Sequence, residues 1–208
     1  MKKHMIRLLA VVLCCGMLMG GLSSCMLHKV EYDKTENAYV DGRTGIAYHD
    51  APGCYEPVAI GKEYAQLKYG RKTSVVFYEM GEMDPAKWLC EEGKTVFYAD
   101  GVTLPTLTEM APEQVHLCIE QASTMVLSTI TDAEDIHALI DVWLNGEEVV
   151  YTGLEPNVNL RVKFESASYP GLYYSLIYLE YGDGTKVLYD RFAARCVDAG
   201  DVLLEYVG

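Results

Sequence analysis

The sequence predicts an α+β fold: mostly antiparallel β, with a C-terminal sheet packed by one amphipathic helix. Three observations lead there. Short runs of alternating apolar residues, broken by Gly, Pro and Asp-Gly turns, recur through the chain. A single stretch has helical periodicity, with Ile136, Leu139, Ile140, Trp143 and Leu144 on one stripe. No alternation of strand and helix patterns announces a parallel sheet. Sixteen Tyr against four Phe and two Trp fit this class, because an amphipathic ring suits a half-buried strand.

The elements follow in order. Asp41-Gly42, Pro52-Gly53 and Gly61 punctuate a β-rich N-terminal subdomain, 38–105. Strands are expected over 46–49, 57–60, 63–69, 73–80 and 94–99. A short helix is expected between them. Asp84 caps it, Pro85 takes the first helical position, Gly93 stops it, and Trp88 and Leu89 are its core contacts. Residues 103–112 read as a linker or one helical turn. The C-terminal subdomain, 113–208, opens with strands at 115–120 and 125–130. The main helix follows. Thr131-x-x-Glu134 forms its capping box, and Asn145-Gly146 its left-handed stop. On the next strand Val158, Leu160, Val162 and Phe164 face one way; Asn159, Arg161, Lys163 and Glu165 face the other. Residues 172–181 are apolar on both faces, which makes them a central strand. Asp183-Gly184 is a two-residue hairpin turn, pairing Leu179 with Leu188 and Tyr178 with Tyr189. A last strand is expected over 202–207.

Nothing in the motif inventory commits the chain to catalysis. No Gly-x-Ser-x-Gly, His-Glu-x-x-His, Gly-x-Gly-x-x-Gly or phosphate loop occurs. Asp132, Glu134 and Asp135 are explained by a helix N-terminus, where the dipole favours carboxylates. Gly182-Asp183-Gly184-Thr185 is explained by a hairpin. His116-x-Cys118 lacks the companions a zinc site needs, so neither metal nor other cofactor is expected. His49 with Cys54, in a Gly/Pro loop, is the one cluster with nucleophilic character. Cys54, Cys90, Cys118 and Cys196 are each a free buried thiol or half of a disulfide. Tyr173, Tyr174, Tyr178, Tyr181 and Tyr189 are candidates for an aromatic binding face.

The N-terminus carries an address. Lys2, Lys3 and Arg7 precede an uncharged run, 8–22, that is too short for a spanning helix and ends in small residues. Leu22-Ser23-Ser24-Cys25 resembles the lipobox of bacterial lipoproteins: an apolar residue, two small ones, then Cys. The resemblance covers residues 1–25. It implies a cleaved signal peptide, 1–24, and a lipidated N-terminal Cys25 that holds the protein on the outer face of the cell membrane. Residues 25–37 would be the lipidated cysteine and its tether. The remainder is similar to small lipoproteins of Gram-positive bacteria, on residues such as Arg43-Thr44-Gly45-Ile46-Ala47-Tyr48 and Tyr55-Glu56-Pro57-Val58. That similarity brings no activity with it.

Charge narrows the partners. Loss of residues 1–24 leaves 14 Lys and Arg against 30 Asp and Glu, a net −16. Such a chain lacks the basic footprint that nucleic acid requires. The expectation is a membrane-tethered, non-catalytic module that binds an envelope protein, peptide or glycan. Two alternatives are an envelope hydrolase assembled around His49 and Cys54, and a small solute-binding lipoprotein.

Overall fold

The computed structural model describes residues 28–69, 72–121 and 123–207. Residues 1–24, expected as a signal peptide, and Cys25 lie outside the described residues. Strand accounts for 46% of the described residues and helix for 12%, so the fold is mostly β and the α+β expectation is corrected. Two β bodies make it up, a closed barrel and a second, open sheet.

The barrel contains seven strands: β1 (His28–Asp33), β2 (Ala38–Asp41), β3 (Ala47–Asp50), β5 (Ile60–Tyr69), β6 (Lys72–Met80), β7 (Trp88–Cys90) and β8 (Val96–Ala99). Their order around the barrel is β1-β2-β3-β8-β7-β6-β5. Every neighbouring pair is antiparallel except β1 with β5, which closes the barrel in parallel through His28–Ala65, Lys29–Gln66 and Val30–Leu67. Val30, Tyr48, Ala65, Leu67, Phe77, Leu89, Phe97 and Ala99 fill the interior.

Two sequence expectations fail here. Residues 28–33, expected as tether, are β1, and Val30 is 1% exposed in the barrel core. The expected helix after Pro85 is a turn leading into β7. Asp84 still caps, accepting from the Ala86 N–H at 3.0 Å, and its carbonyl accepts from Lys87 and Trp88. Trp88 and Leu89 are buried as expected, but as strand residues paired with Tyr98 and Phe97. Three apolar residues in a row suit a strand covered on both faces better than an exposed helix.

The second sheet runs β10 (Thr124–Ile130), β9 (Gln114–Glu120), β11 (Val158–Glu165), β12 (Leu172–Glu180), β13 (Lys186–Asp190) and β14 (Arg195–Asp198). The short β4 (Tyr55–Pro57) leaves the barrel half of the chain and pairs with the start of β12. Between the bodies sits α1 (Leu107–Met110), with a complete Thr106/Glu109 capping box. The expected helix is α2 (Ala133–Asn145), and Ile136, Leu139 and Trp143 bury into a core with Leu117, Val162, Phe164, Leu176 and Tyr178. At thirteen residues it covers part of one sheet face, which does not change the class.

The ends of α2 differ from expectation. Asp132, not Thr131, is the N-cap, accepting from the Glu134 and Asp135 N–H groups. Gly146 is extended (φ −65, ψ 163) rather than left-handed. Glycine is needed there for closeness, since a Cβ would lie 2.3 Å from the Val142 oxygen.

The β12–β13 register is also shifted. Tyr181 and Thr185 bond across a three-residue loop in which Gly184 is left-handed (φ 88), and Leu179 pairs with Val187 and Tyr178 with Leu188. A turn with a left-handed third residue is the common three-residue hairpin. One residue of slip turns a side chain to the other face, so Tyr189 pairs with Ile177 and lies on the sheet face away from Tyr178. The expected strand at 202–207 is instead α3 (Leu204–Val207), and the terminal strand is β14.

Candidate functional site

Topology brings together two polar clusters that no local motif announces. The first lies between barrel and sheet. Lys163 on β11 is 5% exposed, Glu56 on β4 is 5% exposed, and their side chains meet at 2.8 Å. Lys163 also reaches Glu120 on β9 at 2.8 Å, and Glu120 takes Lys94 at 2.6 Å and Arg161 at 3.2 Å. Burial works against the charge on Glu120, but hydrogen bonds and attraction from Lys163 and Lys94 outweigh it and lower the carboxyl to about 2. Burial likewise opposes the Lys163 ammonium; Glu120 and Glu56 overcome it and raise its pKa. Both shifts favour the ionised forms, so Glu120 and Lys163 are charged together near neutral pH.

Ser175 lies directly across from Lys163 on β12, and its buried hydroxyl has no hydrogen-bond partner among the described residues. A serine beside a lysine is a known nucleophile arrangement. Here the lysine holds its proton between two carboxylates and cannot take one from Ser175. The same face carries His116, bonded to Glu165 at 2.6 Å and to Thr129 at 3.0 Å, with the Tyr173 ring 6.0 Å away.

The second cluster closes one end of the barrel around Asp41, which is 0% exposed. Its carboxylate meets the His28 Nδ1 at 3.1 Å and accepts from the Tyr64 hydroxyl at 2.9 Å, Thr44 Oγ1 at 3.0 Å and the Arg43 N–H at 2.8 Å. Burial raises the Asp41 pKa, but these donors outweigh it and hold the carboxyl below its ordinary range. The Arg43 guanidinium sits 2.5 Å from His28 Nε2. With Nδ1–H directed to Asp41, Nε2 is the acceptor for Arg43. Every group in this array has a partner, and it ties β1, β2 and β5 together.

The residues singled out by sequence are dispersed. His49 pairs with Asp100 at 2.6 Å and lies beside the Tyr98 ring. Cys54 is buried, and burial, helped by Asp190, pushes its thiol up to about 12. A thiol in that state is protonated at neutral pH and is a poor nucleophile. Cys90, pushed up to about 11 by burial, Cys118 and Cys196 are also buried and free. Tyr174 and Tyr178 belong to the helix-side core, with Tyr174 edge-on to Tyr55. Tyr173, Tyr181 and Tyr189 belong to the opposite face; Tyr181 is buried and Tyr189 stacks on Tyr151 at 4.4 Å. The five rings do not share one surface. Among the described residues no group of three His, Cys, Asp or Glu side chains is placed to hold a metal ion.

Two surface features stand out beside these buried clusters. The edge strand β10 pairs only with β9 among the described residues. Its Met125, Val126 and Leu127 are 54%, 54% and 48% exposed, and the strand contains no charge. Leu127 falls at a bulge between the Val126–Cys118 and Ser128–Leu117 pairs. The second feature is an open cavity of about 420 Å³, bordered by Asp183, Lys186, Asp198 and Asp201. The chain matches no protein-family model, curated protein or solved structure.

Proposed function

We propose that this chain is an extracytoplasmic lipoprotein, anchored to the cell membrane through lipidated Cys25, whose folded part is a non-catalytic binding module. The carrying observation is the β10 edge. Three successive apolar side chains stand about half exposed on an uncharged strand with one edge unpaired among the described residues. Soluble proteins usually blunt such an edge with Lys, Pro or a cover. Left open, it offers unpaired main-chain groups and exposed apolar side chains to an extended segment of an envelope protein.

The interior clusters support the same reading, because their acids and bases are bound to one another. The hydrolase alternative gains no support from the state of Cys54. The solute-binding alternative has one observation in its favour, the cavity beside Asp183.

The test is a crosslinked capture from intact cells, comparing the unaltered chain with Cys25→Ala and with Val126→Lys. Cys25→Ala is expected to leave the membrane fraction. Val126→Lys is expected to stay there and lose a stoichiometric protein partner. A Cys25→Ala protein still in the membrane would refute the anchor; a partner retained by Val126→Lys would refute the edge as its site.

A further inference from the structure

The strands give the molecule a definite polarity. β1 begins with His28 at one end of the barrel. The alternating strand directions put the 42–46 turn, the start of β5 at Ile60, the end of β6 at Met80 and the start of β7 at Trp88 at that same end. The 34–37 and 91–95 turns occupy the other end. β5 has ten residues. That is about 33 Å along the strand, or about 25 Å between ends with ordinary barrel tilt.

The second sheet lies along this axis, held at both ends. Near the His28 end, a Cβ on Gly171, just before β12, would meet Met83 and Met80. Leu172 shares a core with Met80. At the far end, Lys94 of the 91–95 turn bonds Glu120, the last residue of β9. β10 starts straight after the next turn, so Met125–Leu127 belong to the far half of the sheet. The hairpin loop bordering the acidic cavity follows Glu180, whose partner Val158 opens β11, and lies there too.

Only Met26 and Leu27 separate Cys25 from His28. Three Cα steps span about 11 Å even when fully extended. We propose that the barrel end bearing His28, the 42–46 turn and Ile60 is apposed to the lipid surface, so that the β10 edge and the acidic cavity face outward. This rests on the lipoprotein reading above. The short link turns an anchor into an orientation: the barrel cannot swing its far end to the bilayer without unpairing β1 from β2 and β5. Partners of β10 would then be molecules presented from outside the membrane, while the bilayer itself contacts the exposed Ile60 end.

The experiment uses the full chain, exported and purified in its membrane-bound form. Single cysteines replace exposed residues at the near end (Lys62→Cys, Glu82→Cys) and the far end (Lys34→Cys, Glu92→Cys). The four described native thiols are buried, which leaves the new ones selectively labelled. Labelled protein is placed in phosphatidylglycerol/phosphatidylethanolamine vesicles containing a headgroup-spin-labelled lipid. Fluorescence is expected to be quenched severalfold more at 62 and 82 than at 34 and 92. Equal or reversed quenching with an acylated Cys25, checked by mass spectrometry, would overturn the orientation and leave the anchor standing. An unacylated protein that does not enter the membrane would overturn both.

Discussion

Lys163 donates to Glu56 and Glu120 while almost fully buried, so its removal strands the Glu56 carboxylate away from water. Breaking a buried pair from one side costs about 3–5 kcal/mol, whereas replacing both partners is often near neutral. Lys163→Met should lower stability by that amount in urea unfolding. Combining it with Glu56→Gln should restore most of the loss. The pH dependence has a definite sign. The Glu120 carboxyl is depressed from 4.5 to about 2. Its contribution is present above 4.5 and disappears as the pH falls through about 2. Asp41, also depressed, acts in the same direction. Acid unfolding followed by circular dichroism should therefore steepen between about pH 4.5 and 2, and Glu120→Gln should flatten that part of the curve.

Among the elements, α2 depends on its two ends. Asp132 satisfies two N–H groups, and Asp132→Ala should cost about 1 kcal/mol. Gly146→Ala should cost about 1–3 kcal/mol by overpacking against the Val142 oxygen. Thermal melts of the two variants would separate a capping loss from a steric one. The helix stripe was legible because Ile136, Leu139 and Trp143 repeat at the helical period and do bury. Strand β7 was misread as helix because Asp84, Pro85 and Gly93 imitate helix punctuation around a segment too short to show its period. The β12–β13 register was misread by one residue because Asp-Gly also fits a longer loop with Gly184 left-handed.

On the scale of the whole molecule, barrel closure hangs on β1. It pairs with β2 on one side and β5 on the other, and places Val30 in the core. Deleting residues 28–33 would open two edges at once. The expected outcome is loss of a single cooperative unfolding transition and new dye binding to exposed apolar surface, with urea titration as the check. The candidate sites show the same dependence on distant chain. Glu56 and Lys163 are 107 positions apart, and His28 and Asp41 meet across paired strands. The alternation that put Arg161, Lys163 and Glu165 on one face was readable. That Glu56 and Lys94 would cover that face was not, because neither carries a local signal.

What the sequence determined by itself was local. It set the strand alternation of β9 and β11, the stripe of α2, the turns at Asp41-Gly42 and Pro52-Gly53 and the acidic balance, whereas Gly61, expected to break the chain, lies inside β5. Each depends on neighbours within one or two turns of chain, where side-chain spacing alone sets which face is apolar. Tertiary structure decided that seven short strands close into a barrel, that residues 28–33 belong to it, and that buried acids and bases neutralise one another. Those outcomes come from pairing between segments far apart in sequence. No periodicity encodes which edge a strand will meet, since any uncapped edge can satisfy the same backbone hydrogen bonds.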